Sequence, residues 1–202
     1  MIHLGDICKI NGAEIPRVDV ITFGSPCQDV SVAGARKGIV HTEHGGEETT
    51  RSGLFFEAIR IIREMREADK ADGRADEFIR PRFGILENVP GLFSSNKGED
   101  FRAVLTEIVR IAEPDAPDVP MPDVKGGWPY CGCLYEDMGG WSVAWRVHDL
   151  QYWGCPQRRK RVCVFFDLGG LTAPWILFDP QLRREAEGTN AVYAVGDTGG
   201  IG

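Results

Sequence analysis

The stretch from Val18 to Phe23 limits the fold more than any other. It is short and apolar, with β-branched residues at positions 18, 20, 21 and 22, and it reads as a buried strand. Gly24-Ser25-Pro26 ends it, since proline cannot supply a ladder N–H. Cys27 follows at once. The carboxyl end of a strand is where open α/β sheets hold their ligands. A thiolate presented there is a candidate nucleophile. Taken alone, Cys27 is better explained as a buried structural thiol, because cysteine is among the most buried residue types.

The chain around this strand alternates strand and helix signals. Asn11-Gly12 marks a turn. Residues 32–51 hold six glycines or histidines among charges and predict a loop that closes over a substrate. Ser52 predicts an N-cap, and Phe55, Ala58, Ile59, Ile62 and Met65 recur at helical spacing, so 53–67 is predicted as an amphipathic helix ended by the polar stretch Asp69 to Asp76. Phe83 to Leu86 predicts a second buried strand. Ser95 or Asn96 predicts the cap of a second helix, with Phe101, Val104, Leu105, Ile108 and Ala112 on one face. This order predicts an α/β fold with a mostly parallel sheet. Five prolines make 113–129 a loop. Val143–Val147 and Val162–Phe166 predict two further strands, joined through a hairpin-like connection. Periodicity is lost from Leu168 onward, which sets expected units of 1–168 and 169–202, the second a flexible linker or the start of another region.

Thirty acidic against 23 basic side chains leave a formal net charge of −7. That balance argues mildly against a nucleic-acid partner, which a basic patch usually marks. The cluster Arg158-Arg159-Lys160-Arg161 partly answers it, although a short charge run is most often a solvated face. No apolar run approaches the ~20 residues of a membrane span. The start, Met1 to Asp6, lacks the basic and apolar regions of a signal peptide, so a cytoplasmic location is expected, with the six cysteines reduced.

Three places carry candidate chemistry besides Cys27. Glu87-Asn88-Val89 directly follows the second strand, so a carboxyl stands where a neighbouring strand ends, ~5 Å from the first if the two pair. Partial burial would raise its pKa and make it a proton donor, whereas an isolated Glu is most often simply exposed. Gln157-Arg158-Arg159-Lys160-Arg161 precedes the last strand. In an extended segment Arg159 and Arg161 share one face, and Arg158 and Lys160 the other. A guanidinium fork suits a base carbonyl or a phosphate. Cys131-Gly132-Cys133 is too closely spaced, and too poor in further ligands, for zinc, so no metal is expected. Trp128, Trp141, Trp145 and Trp153 are expected in the core or as pocket walls.

Pro26-Cys27-Gln28, Glu87-Asn88-Val89 and Gln157-Arg158-Arg159-Lys160-Arg161, in this order and with 60 and 70 residues between them, resemble the motifs of the DNA (cytosine-5) methyltransferases. Gly5-Asp6-Ile7 resembles the acidic turn before that family's nucleophile strand, and Arg51 to Phe56 the opening of its next helix. The resemblance covers about residues 3–168. It implies a partial Rossmann-like class I methyltransferase sheet using S-adenosyl-L-methionine on double-stranded DNA in a bacterial or phage-type setting. Cys27 would attack carbon 6 of a flipped cytosine, Glu87 would bond N3 and the exocyclic amine, and Arg159 and Arg161 would hold the O2 side. Asp6, Ile7, Pro26 and Leu54 fall at cofactor-binding positions, and Gln28, Ser31, Asn88 and Gln157 at substrate-binding ones. Asp29 and Val30 depart from the family, which often has a small residue and Phe there. The family's Phe-x-Gly-x-Gly turn has no counterpart in this sequence, so only part of the cofactor site is expected here, with a truncated enzyme, or a split one completed by a second chain, as the leading reading. An RNA cytosine methyltransferase and an inactive remnant that binds DNA or a partner are the alternatives.

Overall fold

The protein is described by a computed structural model covering residues 3–25, 53–123, 127–154 and 156–178. Five strands, β1 (Val20–Gly24), β2 (Phe83–Asn88), β3 (Cys131–Tyr135), β4 (Ser142–Asp149) and β5 (Lys160–Asp167), form one sheet in the order β1-β2-β5-β4-β3. Three helices, α1 (Gly53–Ala71), α2 (Glu99–Ala112) and α3 (Thr172–Leu177), pack on its two faces. The α/β class is as expected.

The direction of the strands corrects the expectation of a mostly parallel sheet. Only β1 and β2 run parallel, with α1 between them in sequence. The β2–β5, β5–β4 and β4–β3 pairs are antiparallel. Connection length is the reason for the β4–β3 and β5–β4 pairs. Residues 136–141 and 150–159 are too few to carry a crossover and return beside the same strand, so they turn the chain back as hairpins. The strand β3 falls in the Cys131-Gly132-Cys133 stretch, where short side chains and a glycine mask the β signal. Gly132 is needed there, because a Cβ would lie 2.3 Å from the Trp145 ring on β4.

One face of the sheet carries the main core. Phe55, Ile59 and Ile62 of α1 and Phe101, Leu105 and Ile108 of α2 close over Leu86, Val164, Phe166, Val143 and Trp145. Each such side chain contributes about 1.5–3 kcal/mol on burial. Phe101, Trp128 and Trp145 meet edge-to-face, with centroids 5.0–5.8 Å apart. The indole N–H groups of Trp128 and Trp145 donate to Gly98 O and Pro129 O, which ties down the proline-rich loop. Trp141 is buried too, and its N–H donates to Glu113. On the opposite face, Ala173 and Leu177 of α3 cover Cys133, Ala144 and Phe165. That short helix lies in the stretch where the sequence shows no periodicity.

Two helix ends differ from expectation. α1 runs on to Ala71 because Asp69 is buried rather than solvated. Its carboxylate accepts from Arg17, Arg74 and the Arg80 N–H at 2.8–3.0 Å. Gly98, with φ +92, stands at the start of α2, while Ser95 and Asn96 bond the Asp100 carboxylate instead of capping the backbone. The expected cap Ser52 and the loop at 32–51 lie outside the described residues.

Asp167, at the end of β5, is fully buried and grips Arg82 through two bonds of 2.8 and 2.9 Å, with Thr172 and the Gly169 N–H as further donors. Burial alone would raise its pKa, but these partners outweigh burial and hold it below the ordinary carboxylate value. The stabilisation is therefore present above the unfolded-state value of ~3.9 and is lost as pH falls toward the lower folded value. Urea titrations at pH 7 and pH 3 should show Asp167→Asn less stable than wild type at pH 7, by about 3–5 kcal/mol because Arg82 loses its anion. The gap should narrow at pH 3.

Candidate active site

The parallel pair β1–β2 sets the geometry. Its register aligns Gly24 with Glu87, so the segment leading to Cys27 leaves the sheet beside the carboxylate. A Cβ at Gly24 would stand 3.3 Å from Glu87 Oε2, close enough that the missing side chain matters. Asn88, next along β2, is buried and donates from Nδ2 to both the carbonyl and the hydroxyl oxygen of Ser25 at 3.1 Å, while its own Oδ1 accepts the Val89 N–H at 2.7 Å. Ser25 lies two residues before Cys27, and this buried amide holds it to the end of β2. Pro26, Cys27, Gln28 and Ser31 lie outside the described residues.

Glu87 faces away from the main core. Its side chain is 54% exposed and forms an ion pair with Arg161, Nε to Oε1 2.6 Å. The partial burial expected of this carboxyl is absent among the described residues, and its environment is set by a guanidinium instead. Arg161 and Lys160 point to opposite faces, as strand alternation requires. Lys160 Nζ sits 5.9 Å from the centre of the Tyr130 ring. Arg159 is exposed ahead of β5, and its backbone joins the turn through Asp149 Oδ1 and the Leu150 N–H. Arg158 and Gln157 are also exposed. The structure thus joins Arg161 to Glu87, and Asn88 to the loop before Cys27, and gives Arg159 and Gln157 no described side-chain partner.

One cross-strand row spans the whole sheet at this level: Gly24, Glu87, Cys163, Arg146 and Cys131. Arg161 and His148 form the next pair on that face. Burial pushes the Cys163 thiol pKa up, reinforced by the Glu87 charge. Burial pushes the His148 pKa down, reinforced by Arg146. Sequence alone does not single out Cys163, Arg146 or His148, because only the β2–β5 register sets Cys163 against Glu87 and only the β4–β5 register sets Arg146 against Cys163 and His148 against Arg161. Cys133 lies inside the smaller core with a burial-raised pKa. Among the described residues no three His, Cys, Asp or Glu side chains group as metal ligands.

Of the expected cofactor residues, Asp6, Ile7 and Leu54 are described. Asp6 precedes a single 3-10 turn, Ile7–Lys9, and its carboxylate accepts the Cys8 N–H at 3.1 Å. The Ile7 carbonyl accepts from Arg60 on α1 at 3.2 Å. Leu54 is half-buried on the first turn of that helix.

The end of β1, a carboxylate on the adjoining strand and an arginine on that carboxylate meet at one end of an α/β sheet. The family model for C-5 cytosine-specific DNA methylases matches residues 1–111. The chain belongs to that family. It is 32% identical over 184 residues to a DNA N-6-adenine-methyltransferase of Escherichia phage P1, covering 80% of this chain and 22% of that protein. It is 29% identical over 160 residues to the type II methyltransferase M.BsuFI of Bacillus subtilis, with 79% and 27% covered. The type II methyltransferase M.NgoBV of Neisseria gonorrhoeae is 29% identical over 158 residues, with 78% and 27% covered. The chain spans about a quarter of the length of these relatives. No described helix is long and apolar enough to cross a membrane.

Asn88→Ala should remove both bonds to Ser25 and leave its own pocket underfilled. A loss of about 1–3 kcal/mol in urea unfolding is expected, with faster amide exchange in the segment after β1. Unchanged exchange there would mean that other contacts hold the loop.

Proposed function

We propose that this chain carries the catalytic residues of a DNA (cytosine-5) methyltransferase that acts on a cytosine flipped out of the duplex. The observation that carries the reading is the alignment of Gly24 with Glu87, with Asn88 on Ser25 and Arg161 on Glu87. Carbon 6 of cytosine is a weak electrophile, and a thiolate adds to it readily only when the ring can accept charge. Cys27 adds there, and its sulfur–carbon bond places electron density on carbon 5. Glu87 bonds N3 and the exocyclic amine as that charge develops, and Arg161, already on Glu87, fixes the carboxylate and meets the O2 side together with Arg159. Gln28, Ser31 and Gln157 line the approach of the nucleotide. The target atoms are buried in a stacked duplex, so the base must leave the helix first.

Asp6, Ile7, Pro26 and Leu54 are the residues proposed to hold S-adenosyl-L-methionine, which when bound supplies the electrophilic methyl that carbon 5 takes. Loss of the carbon-5 proton then restores the ring and frees Cys27. We assign the remainder of the cofactor site to a longer polypeptide or a second chain. The span of a quarter of the relatives' length supports this. So does the position of β1 at the edge of the described sheet, with Val18 and Val20 exposed beside it. The adenine chemistry in the name of the phage P1 relative belongs to a protein of which 78% lies outside the match. An exocyclic amine is itself a nucleophile and needs no attacking thiol, so Cys27 favours carbon 5 over an adenine amine.

In an assembly that transfers methyl groups, Cys27→Ala should abolish covalent capture of duplex DNA bearing 5-fluorocytosine at the target. Capture by the alanine variant would remove Cys27 from the mechanism. Glu87→Gln should slow transfer by ~10²–10⁴-fold with the fold retained, and a loss below about tenfold would reduce Glu87 to a structural part. Replacing Arg159 and Arg161 by Ala should cost activity at every salt concentration. Replacing Arg158 and Lys160 should mainly flatten the salt dependence of DNA binding, because phosphate contacts release counterions. Equal effects from the two pairs would contradict the division of faces.

A further inference from the structure

We propose that Arg60 is a positioning residue for the cofactor end of the site, orienting the Asp6 carboxylate through a single peptide plane. The proposal rests on the reading of Asp6 as a cofactor contact. Arg60 projects from the middle of α1 and reaches two carbonyl oxygens of the N-terminal segment, Ile7 O at 3.2 Å and Ile10 O at 2.9 Å. A planar fork can hold two acceptors at once in a fixed relation, which a lysine ammonium cannot. The fork is itself braced, since its Nε donates to Glu57 at 2.8 Å and its Nη1 to Glu64 at 2.7 Å. Glu64 also accepts the Gly12 N–H at 2.7 Å, and a Cβ at Gly12 would come within 2.5 Å of Ile61 O, so the segment lies directly on the helix.

The link to Asp6 is covalent geometry. The Ile7 carbonyl and the Cys8 N–H belong to one rigid peptide unit. Arg60 holds the oxygen end of that unit, and the Asp6 carboxylate accepts from the nitrogen end at 3.1 Å. Rotation of the plane would carry the Cys8 N–H away and turn the carboxylate with it. The 3-10 turn Ile7–Lys9 is only three residues long, and its own bond to that oxygen, from the Ile10 N–H, is long at 3.3 Å. A purely structural Arg60 would stabilise the N-terminal segment without any particular relation to Asp6, and the two roles differ in how their losses combine.

The test uses the full chain as wild type, Arg60→Ala, Arg60→Lys, Asp6→Ala and the Arg60→Ala/Asp6→Ala double variant. Amide hydrogen exchange is read at residues 6–12, and S-adenosylmethionine affinity by titration followed by NMR. Arg60→Ala should speed exchange at the Cys8 amide at least tenfold with helix content unchanged, and Arg60→Lys should fall between it and wild type. Unchanged exchange at Cys8 in Arg60→Ala overturns the proposal whatever the cofactor does. In the titration, each single variant should weaken binding several-fold and the double variant no more than the worse single one, since both remove one oriented carboxylate. Additive losses overturn the proposal and leave Arg60 structural. Loss of affinity in Arg60→Ala but not in Asp6→Ala overturns the proposed route through Asp6. A wild-type chain that binds no cofactor alone is titrated within the assembly that transfers methyl groups, where equal affinity of wild type and Asp6→Ala, with Cys8 exchange still accelerated in Arg60→Ala, removes Asp6 from the cofactor site and overturns the proposal.

Discussion

Everything proposed for this chain depends on the parallel pairing of two short strands. β1 and β2 are five and six residues long, and neither has enough ladder bonds to stand alone. Their registry nevertheless decides that Glu87 lies level with Gly24, and hence beside the exit toward Cys27. A shift of one residue would turn Glu87 toward the core and Leu86 toward the site. The shift is prevented from the core side: Leu86 is fully buried under the helices, and Gly84 leaves the space that the Phe166 ring occupies. The apolar packing of one face thus fixes the chemistry of the other.

The remainder of the sheet serves that pair in a different way. β5 pairs antiparallel to β2 and brings Arg161 to Glu87. β4 and β3 continue the sheet outward and bury Trp145 and Phe166 over the main core. At the far end of β5, the Arg82–Asp167 pair and the buried Asp69 cluster tie the strand ends to α1 and α3. Charge is therefore separated by use. The buried, fully bonded carboxylates lie away from the strand-end site, while Glu87 is solvent-facing and held by one guanidinium.

The family resemblance and the fold meet at specific residues. The end of β1 at Gly24, Glu87 and the start of β5 at Lys160-Arg161 lie at one end of the sheet, and the family match covers the first two of them. The N-terminal turn at Asp6 is joined to α1 through Arg60, and so to the βαβ unit that carries Glu87.

Much of this was legible from the chain alone. The helical spacing of Phe55, Ile59 and Ile62, and of Phe101, Leu105 and Ile108, determines two amphipathic helices, because a 3.6-residue period leaves one consistent apolar face. The stop at Ser25-Pro26 marks where β1 ends, because proline cannot extend a ladder, whereas Glu87 and Asn88, read as following the second strand, are its last two residues and pair with β5. Strand β3 and the short helix α3 were not legible, because Gly132 answers to the Trp145 ring across the sheet and Ala173 and Leu177 answer to Phe165, neither of which is near in sequence. Nor were the burial of Asp69, the antiparallel half of the sheet and the row that runs from Glu87 through Cys163 to Arg146. Local sequence determines the period and the breaks; which strand lies next to which, and in what register, is decided only when the side chains of distant segments compete for the same core.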